Sequence, residues 1–209
     1  MNEGRVCSTK GLSISVEDYE KTFEEEHVAH STALHSVQLP GRSAYHVGPL
    51  ARVNLNYDRL SPAAREVAKE VGFHVPCMNL YQSIIARCLE VVHAYEETLQ
   101  ILKSYQPFAP ARHPLQHRVG EGWAATEAPR GLIYHRYRVD AEGKVTFAKI
   151  VPPTSQNQRQ IEADLRQLLP EALQKTDAEA ARDCENLIRC YDPCISCSTH
   201  FLKLTVDRE

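Results

Sequence analysis

Near the C-terminus of this 209-residue chain, two cysteines and a histidine follow one another at intervals of three residues. They are Cys194, Cys197 and His200, and the pair Asp192-Pro193 precedes them. Thiolates and imidazoles are ligands for zinc and for other transition metals, and one short turn can present all three side chains together. Proline fixes its own φ angle and biases the preceding residue away from helix, so the Asp-Pro pair predicts such a turn.

Spacing alone leaves three interpretations of this run open. A structural zinc site would take the three side chains, with Cys184 or Cys190 as the fourth ligand. A thioredoxin-like redox pair would need its Cys-x-x-Cys at the start of a helix in a βαβ unit, whereas this one follows a predicted helix near the chain end. The third interpretation is a set of reduced cysteines without a function. The ligand types and their spacing favour metal binding.

The composition is ordinary for a globular protein, with 43% hydrophobic and 24% charged residues and a formal net charge of −3. This charge gives no electrostatic reason to expect a nucleic-acid or membrane-surface partner. The sequence contains no apolar run near the ~20 residues that cross a bilayer, and its polar start does not resemble a signal peptide. Seven cysteines, an odd number, favour a reducing compartment, so we expect a cytoplasmic protein.

Hydrophobic periodicity predicts a mainly α fold with a small β-hairpin. Residues 79–105 carry apolar side chains at helical spacing without Gly or Pro, which predicts a long, largely buried central helix with Cys88 in the core. Further helices are predicted over residues 61–71, with Ser61 as N-cap, and over 158–169 and 177–190, with Asp177 as cap.

The N-terminal third is predicted to be less regular. Alternating apolar residues within 1–16 predict one strand. Residues 16–27 are acidic and indicate a solvated helix or turn. Residues 36–58 indicate an extended, turn-rich connection. His27 and His30 are spaced to share a helix face. Such a pair without a third ligand nearby is more typical of a surface than of a metal site.

Along residues 130–151 the side chains alternate in strand-like fashion on both sides of a turn at 140–143, which predicts the β-hairpin. Two proline-containing segments flank it: Glu-Ala-Pro-Arg-Gly at 127–131 and Val-Pro-Pro-Thr-Ser-Gln-Asn at 151–157. Because the two ends of a hairpin lie side by side, we expect both segments, as loops, to form one pocket wall. Plain turns without a function are the alternative.

The run from Asp192 to His200 resembles the C-terminal signature of the nickel–iron hydrogenase large subunit. The segments at 127–131 and 151–157 resemble two further motifs of that family, in the same order. The resemblance extends over essentially the whole chain and is to the C-terminal half of a large subunit, in the cytoplasmic, multisubunit, nucleotide-linked branch.

The resemblance implies a nickel–iron centre whose iron carries cyanide and carbon monoxide. Cys194 would bind nickel terminally and Cys197 would bridge nickel and iron, since soft thiolates suit both metals. His200 and the backbone carbonyl of Ile150 would bind a magnesium ion close to the centre, and the carbonyl is a hard oxygen donor of the kind that suits this ion.

The resemblance also assigns roles to the flanking motifs. Arg130 would lie over the open face of the metal pair as a catalytic residue, the hydroxyl of Thr154 would hydrogen-bond a cyanide ligand, and Pro153 would belong to the same cofactor-binding segment. The implied reaction is the reversible conversion of H2 into two protons and two electrons by heterolytic splitting.

The partners that the resemblance implies are an iron–sulfur small subunit, diaphorase-type subunits that use NAD(P), and a maturation protease. Family members also carry a second Cys-x-x-Cys in their N-terminal half, whereas the upstream cysteines here are the isolated Cys7, Cys77 and Cys88. We therefore expect a single domain over residues 1–209 that supplies two of four nickel thiolates and is inactive alone. The chain would then be a truncated or interrupted gene product, a fragment, or half of a split subunit whose other half comes from another chain. Apolar surface would be exposed where the missing half and the small subunit dock.

Two alternatives stay open at this point. The tail at 201–209 resembles an extension that the protease removes after nickel loading, or else it is a terminal strand with alternating Leu202, Leu204 and Val206. The chain itself is either a hydrogenase large-subunit portion or a zinc-stabilised, non-catalytic interaction domain. These two functions differ in metal content. The interaction domain would hold zinc with all coordination positions filled by the protein, whereas the hydrogenase portion would hold nickel and iron with an open coordination position.

Overall fold

A computed structural model describes residues 4–107, 110, 112, 114, 116–194 and 204–205. In these residues the fold is mainly helical, as predicted. The α-helices are α1 (Tyr19–Thr22), α2 (Pro49–Asn56), α3 (Pro62–Glu70), α4 (Ser83–Ser104), α5 (Pro153–Ala172) and α6 (Asp177–Cys190). The strands are β1 (Val6–Cys7), β2 (Ser13–Ile14), β3 (Phe23–Glu26), β4 (His35–Gln38), β5 (Gly120–Ala128), β6 (Gly131–Val139) and β7 (Val145–Val151). Among the helices described, none has the length and apolar character of a membrane span.

The largest sheet is antiparallel with strand order β5-β6-β7. The predicted hairpin is confirmed as β6 and β7, whose turn is closed by the Asp140 N–H donating to the Lys144 carbonyl at 3.0 Å. The first strand, β5, was not predicted, because its small and polar residues have weak β-propensity. Its exposed side chains are held in register by pairing with β6 rather than by burial of their own.

Three clusters of buried side chains form the core. One packs α2, α3 and α4 together, a second joins the N-terminal strands and α1 to β6 and β7, and a third lies between α5 and α6. In the second cluster the rings of Tyr19 and Tyr134 stack with centroids 4.2 Å apart. The second cluster therefore holds the large sheet against the N-terminal elements, and the third holds α5 against α6.

The prediction of a largely buried central helix is wrong for α4. Its buried residues are Ser83, Ala86 and Leu89, all in the first two turns, where α2 and α3 pack against it. The C-terminal part exposes large apolar side chains, namely Val91, Tyr95, Leu99, Ile101 and Leu102. Cys88 is exposed as well and is not a core residue. Helical periodicity shows that an apolar face exists, but not that the same chain covers it.

Several boundaries in the N-terminal third also differ from the predictions. The predicted single strand is a pair, β1 and β2, and the acidic segment ends in a strand, β3, that pairs with β4. The predicted turn-rich connection at 36–58 contains most of β4 and all of α2, which starts with Pro49 at its first position. These short elements are decided by long-range pairing, which local patterns do not contain.

The helix caps were predicted in part. The side chain of Ser61 caps α3 by accepting from the Ala64 N–H, as predicted. For α6 the cap is Thr176 rather than Asp177, and with Glu179 it forms a complete capping box. The predicted start of α5 at residue 158 is too late, because Pro153 already occupies the first helical position.

Candidate metal centre

The three motif segments meet at one end of the large sheet. Strand β6 begins just after Arg130, and Tyr134 of β6 pairs with Val151, the last residue of β7, so both hairpin ends lie side by side. Helix α6 then delivers Tyr191, which is 3% exposed, and the following Asp192 to the same place. The predicted neighbourhood of the two flanking segments is therefore present in the structure.

Arg130 is bound to the turn that precedes Cys194. Its Nε donates to the Asp192 carbonyl at 2.8 Å, and the Asp192 carboxylate Oδ2 lies 3.7 Å from the same nitrogen. Asp192 has φ +49°, a left-handed conformation that aspartate tolerates better than most residues. The Arg130 side chain keeps 40% of its surface exposed, so its guanidinium can still donate to a further group.

Thr154 holds the backbone of the candidate nickel ligand. The residue is 3% exposed, and its hydroxyl oxygen accepts from the Cys194 N–H at 3.2 Å. A threonine hydroxyl accepts with its oxygen while its own proton remains a donor. Thr154 can therefore position Cys194 and still donate to an anionic ligand beside it. The thiol residue itself is partly buried.

The segment at 151–157 is not the predicted loop: it consists of the end of β7 at Val151, the N-cap Pro152 and the buried first turn of α5. Pro153, Thr154, Ser155, Gln156 and Asn157 are all buried. The side-chain amide of Gln156 donates to the Leu132 carbonyl at 2.5 Å and to the Val151 carbonyl at 3.2 Å, which ties α5 to β6 and to the end of β7. The first turn of α5 is thus a fixed support for the site.

Asn157 ties the same turn to residue 47, which is 110 positions earlier in the chain. Its Oδ1 accepts from the Val47 N–H at 2.8 Å, and its Nδ2 donates to the Val47 carbonyl at 3.0 Å. Asn157 is 2% exposed, so neither backbone group of Val47 would regain full hydration after truncation.

We expect Asn157→Ala to lower the free energy of unfolding by about 2–4 kcal/mol, because two buried hydrogen bonds are lost at once. Urea denaturation of the full chain measures this. The matched control is Asn186→Ala on α6, where the exposed amide oxygen accepts from Arg189 and truncation should cost no more than about 0.5 kcal/mol. Equal losses for the two variants would contradict a structural role for Asn157.

Two glycines allow close approach of the segments around Arg130. Gly131 has φ +141°, and a Cβ there would lie 2.6 Å from Val47 Cγ2. Gly48 has φ +134°, and a Cβ there would lie 2.9 Å from the Arg130 carbonyl oxygen. Both the conformation and the spacing require glycine. The start of α2 therefore belongs to the site, although no pattern in the sequence predicted this.

Arg52 on α2 fixes the turn that carries Arg130. It forms a bidentate pair with Glu90 on α4 at 2.6 and 2.7 Å. Its remaining donors reach the Glu127 carboxylate at 3.0 Å, the Ala128 carbonyl at 2.8 Å and the Pro129 carbonyl at 2.9 Å. This planar, five-donor side chain joins two helices to the β5–β6 turn.

A second group of polar side chains, also missed by the sequence analysis, lies beside Tyr191. The His46 ring is 4.9 Å from the Tyr191 ring, and the Tyr191 hydroxyl donates to the Asp164 carboxylate. Desolvation lowers the pKa of His46 to about 4, so this imidazole is neutral at ordinary pH. No local pattern connects His46 with Tyr191 and Asp164, which lie more than 100 positions further along the chain.

The remaining predicted ligands are only partly placed. Cys197 and His200 lie outside the described residues. Ile150 lies in β7 opposite His135 and is 50% exposed. The two candidate fourth zinc ligands, Cys184 and Cys190, are buried on α6, and burial raises the pKa of both thiols. The structure therefore brings Arg130, Thr154 and Cys194 together, and the roles assigned to all of the site residues stay predictions.

Comparison with known proteins identifies the family. The model of the family described as "Nickel-dependent hydrogenase" matches residues 19–200. The alpha subunit of sulfhydrogenase 1 of Pyrococcus furiosus is 32% identical over 95% of this chain and 46% of its own length. The beta subunit of the NAD-reducing hydrogenase HoxS of Cupriavidus necator is 33% identical over 75% of this chain and 34% of its own length.

Solved structures agree with this. An NAD+-reducing [NiFe]-hydrogenase in the H2-reduced state superposes with a TM-score of 0.73 and 25% identity, over 94% of this chain and 46% of that one. The Ni-Fe-Se hydrogenase of D. vulgaris Hildenborough has a TM-score of 0.58 at 20% identity over 91% of this chain and 40% of that one, which shows a shared fold. The chain thus spans less than half the length of these relatives. It belongs to the nickel-dependent hydrogenase family, as its three motifs predicted.

Proposed function

We propose that this chain contributes part of the nickel–iron site of a hydrogenase, with Cys194 and Cys197 as its thiolate ligands. The observation that best supports this is the hydrogen bond from the Cys194 N–H to Thr154 Oγ1. It joins the C-terminal cysteine run to the motif at the start of α5. The bond from Arg130 to the Asp192 carbonyl joins the third motif to the same turn.

The residues present fit a soft metal centre. Cys194 offers a partly buried sulfur, and soft thiolate ligands favour nickel and iron. The guanidinium of Arg130 is bound to the carbonyl two residues before it, which holds this turn in place. Cys194 and Cys197 would hold the metals, and His200 with the Ile150 carbonyl would hold Mg²⁺.

The bound centre supplies the Lewis acidity for heterolytic cleavage of H2. The chain's own side chains orient and shield it. Thr154 fixes the Cys194 backbone and offers its hydroxyl proton to an anionic cyanide, and the rigid turn at Pro153 holds that hydroxyl in place. Arg130, whose side chain is partly exposed, would offer its remaining guanidinium donors to the bound centre, where preorganised positive charge would stabilise developing negative charge.

We further propose that the chain works within a cytoplasmic, multisubunit enzyme. An iron–sulfur subunit would receive the electrons, a chain with a further Cys-x-x-Cys would complete the nickel ligands, and diaphorase-type subunits would pass electrons to NAD(P). The name of the NAD-reducing relative supports the last point. The exposed apolar side chains of α4 are a suitable surface for such partners.

The proposal is tested by H2-dependent dye reduction, measured on the chain purified alone and on the complex purified from its native host. We expect activity in the complex and none in the isolated chain, because two thiolates do not complete the centre. Activity of the isolated chain would contradict the claim that it is inactive alone. A native complex without activity, whose tightly bound zinc is lost in Cys194→Ser, would favour the zinc-stabilised interaction domain.

The tail at 201–209 gives a separate prediction. We expect intact-mass spectrometry of nickel-loaded complex to show a chain that ends at His200, because the extension is proposed to be removed after nickel insertion. Chain produced without nickel should keep all nine residues of the tail. A full-length chain in the nickel-loaded complex would contradict this processing and favour a terminal strand.

A further inference from the structure

Two histidines and a glutamate converge away from the cysteine run. His30 lies between β3 and β4, His35 is the first residue of β4, and Glu162 is on α5. The His30 Nε2 is 2.7 Å and the His35 Nε2 is 3.7 Å from Glu162 Oε1. All three potential ligand atoms lie within 4.8 Å of one another. Sequence spacing paired His30 with His27, but the fold pairs it with His35.

His35 is the unusual member of this cluster. It is 1% exposed, and its Nε2 has no hydrogen-bond partner among the described residues. Leaving a buried polar atom unsatisfied costs about 1–3 kcal/mol, so such an atom calls for an explanation. Burial also lowers the pKa of His35, which favours the neutral imidazole that a metal requires. The His35 Nε2 lies 3.7 Å from Glu162 Oε1, just beyond hydrogen-bonding distance.

The three groups match a known ligand set. Two imidazoles and one carboxylate bind Zn²⁺ with an open position for water, at metal–ligand distances of about 2.0–2.2 Å. Ligand atoms in a tetrahedral site are then about 3.4 Å apart. The His35–Glu162 distance is already close to this value, and the shorter His30–Glu162 contact can lengthen because the His30 side chain is 62% exposed.

The surrounding charges leave Glu162 available. Arg166 approaches the other carboxylate oxygen, Oε2, at 3.7 Å, so Oε1 faces the histidines. Arg159, whose charge acts on His35, is paired with Glu26. The carboxylate is therefore not fully neutralised by a neighbouring cation.

We propose that His30, His35 and Glu162 form a binding site for a divalent first-row transition ion of the zinc type, distinct from the cysteine site. The ion fastens the segment between β3 and β4 onto α5. Glu162 lies eight residues, or about two turns, after Thr154 on that helix. Occupancy therefore stabilises the helix whose first turn supports Cys194.

The test uses Zn²⁺ alone with the full chain carrying Cys194→Ser, Cys197→Ser and His200→Ala, so that the cysteine run cannot bind. Isothermal titration should show one Zn²⁺ per chain, and Co²⁺ should give an absorption spectrum without thiolate charge-transfer bands. Adding His30→Ala or Glu162→Gln should weaken Zn²⁺ binding at least about tenfold, because each removes a ligand. His27→Ala, in the same exposed segment, is the matched control and should change nothing.

Both test substitutions affect residues with solvent-accessible side chains, so the fold should survive, and circular dichroism checks this. Absence of Zn²⁺ binding in the background chain would overturn the proposal. Binding that persists unchanged in both His30→Ala and Glu162→Gln would overturn it as well. Because the background lacks the proposed nickel–iron ligands, neither result depends on the hydrogenase function.

Discussion

Replacing Cys194 by serine is expected to remove nickel from the purified complex and to reduce H2-dependent dye reduction to background. A serine hydroxyl stays protonated and is a hard donor, whereas nickel in this family is proposed to need a soft thiolate. The loss of nickel affinity should exceed the ~10–100-fold that removal of an outer-shell partner costs. Elemental analysis of nickel and iron, together with the activity, measures both effects.

The matched control is Cys88→Ser, because Cys88 is an exposed thiol on α4 that is outside the described site. This variant should keep the nickel content of the unmodified complex. Retention of nickel at the same ratio to iron in Cys194→Ser would contradict the assignment of Cys194 as a ligand.

Replacing Arg130 by lysine is expected to lower kcat by about 10²–10³-fold, the usual cost of removing one preorganised donor. Lysine keeps the charge, but it lacks the planar guanidinium that bonds the Asp192 carbonyl through Nε and leaves further donors free. Nickel and iron content should remain unchanged, because Arg130 is not proposed to bind either metal. Steady-state H2 oxidation with an artificial acceptor gives kcat, and elemental analysis gives the metals.

Arg189→Lys is the control for this substitution, since Arg189 is an exposed arginine of α6 that pairs with Glu185. Its kcat should equal that of the unmodified complex. If Arg130→Lys lost metal in proportion to activity, its role would be structural. If it kept full activity, the catalytic assignment would be wrong.

The parts of the fold that sequence reasoning predicted are those decided by neighbouring residues. The Ser61 cap, the 140–143 turn and the β6–β7 hairpin each depend on chemistry within a few positions. The meeting of the two flanking motifs followed from the hairpin alone, because antiparallel strands bring their outer ends together. Local order was therefore sufficient to bring the two flanking motifs together.

Two of the larger errors share a physical cause, which is that burial and long-range pairing are not local properties. The apolar face of α4 was taken for core, but the chain offers no element to cover its C-terminal half among the described residues. The proline-containing segment at 151–157 was taken for a loop, although α5 begins there because its first-turn side chains find partners on β6 and at Val47.

The supporting residues were missed for the same reason. Arg52 reaches Glu90 and Glu127, which are 38 and 75 positions away, and Asn157 reaches Val47 across 110 positions. No spacing rule connects such residues. The ligand assignments for Cys197, His200 and Ile150 stay predictions from the resemblance, whereas Arg130, Thr154 and Cys194 also have a shared geometry.

The most direct test of the central claim is elemental analysis of the protein purified from its native host with its co-purifying chains. We predict nickel and iron in near-equal amounts. Stoichiometric zinc without nickel, in a preparation whose His30→Ala and Glu162→Gln variants keep that zinc, would contradict the claim and place zinc at the cysteine run.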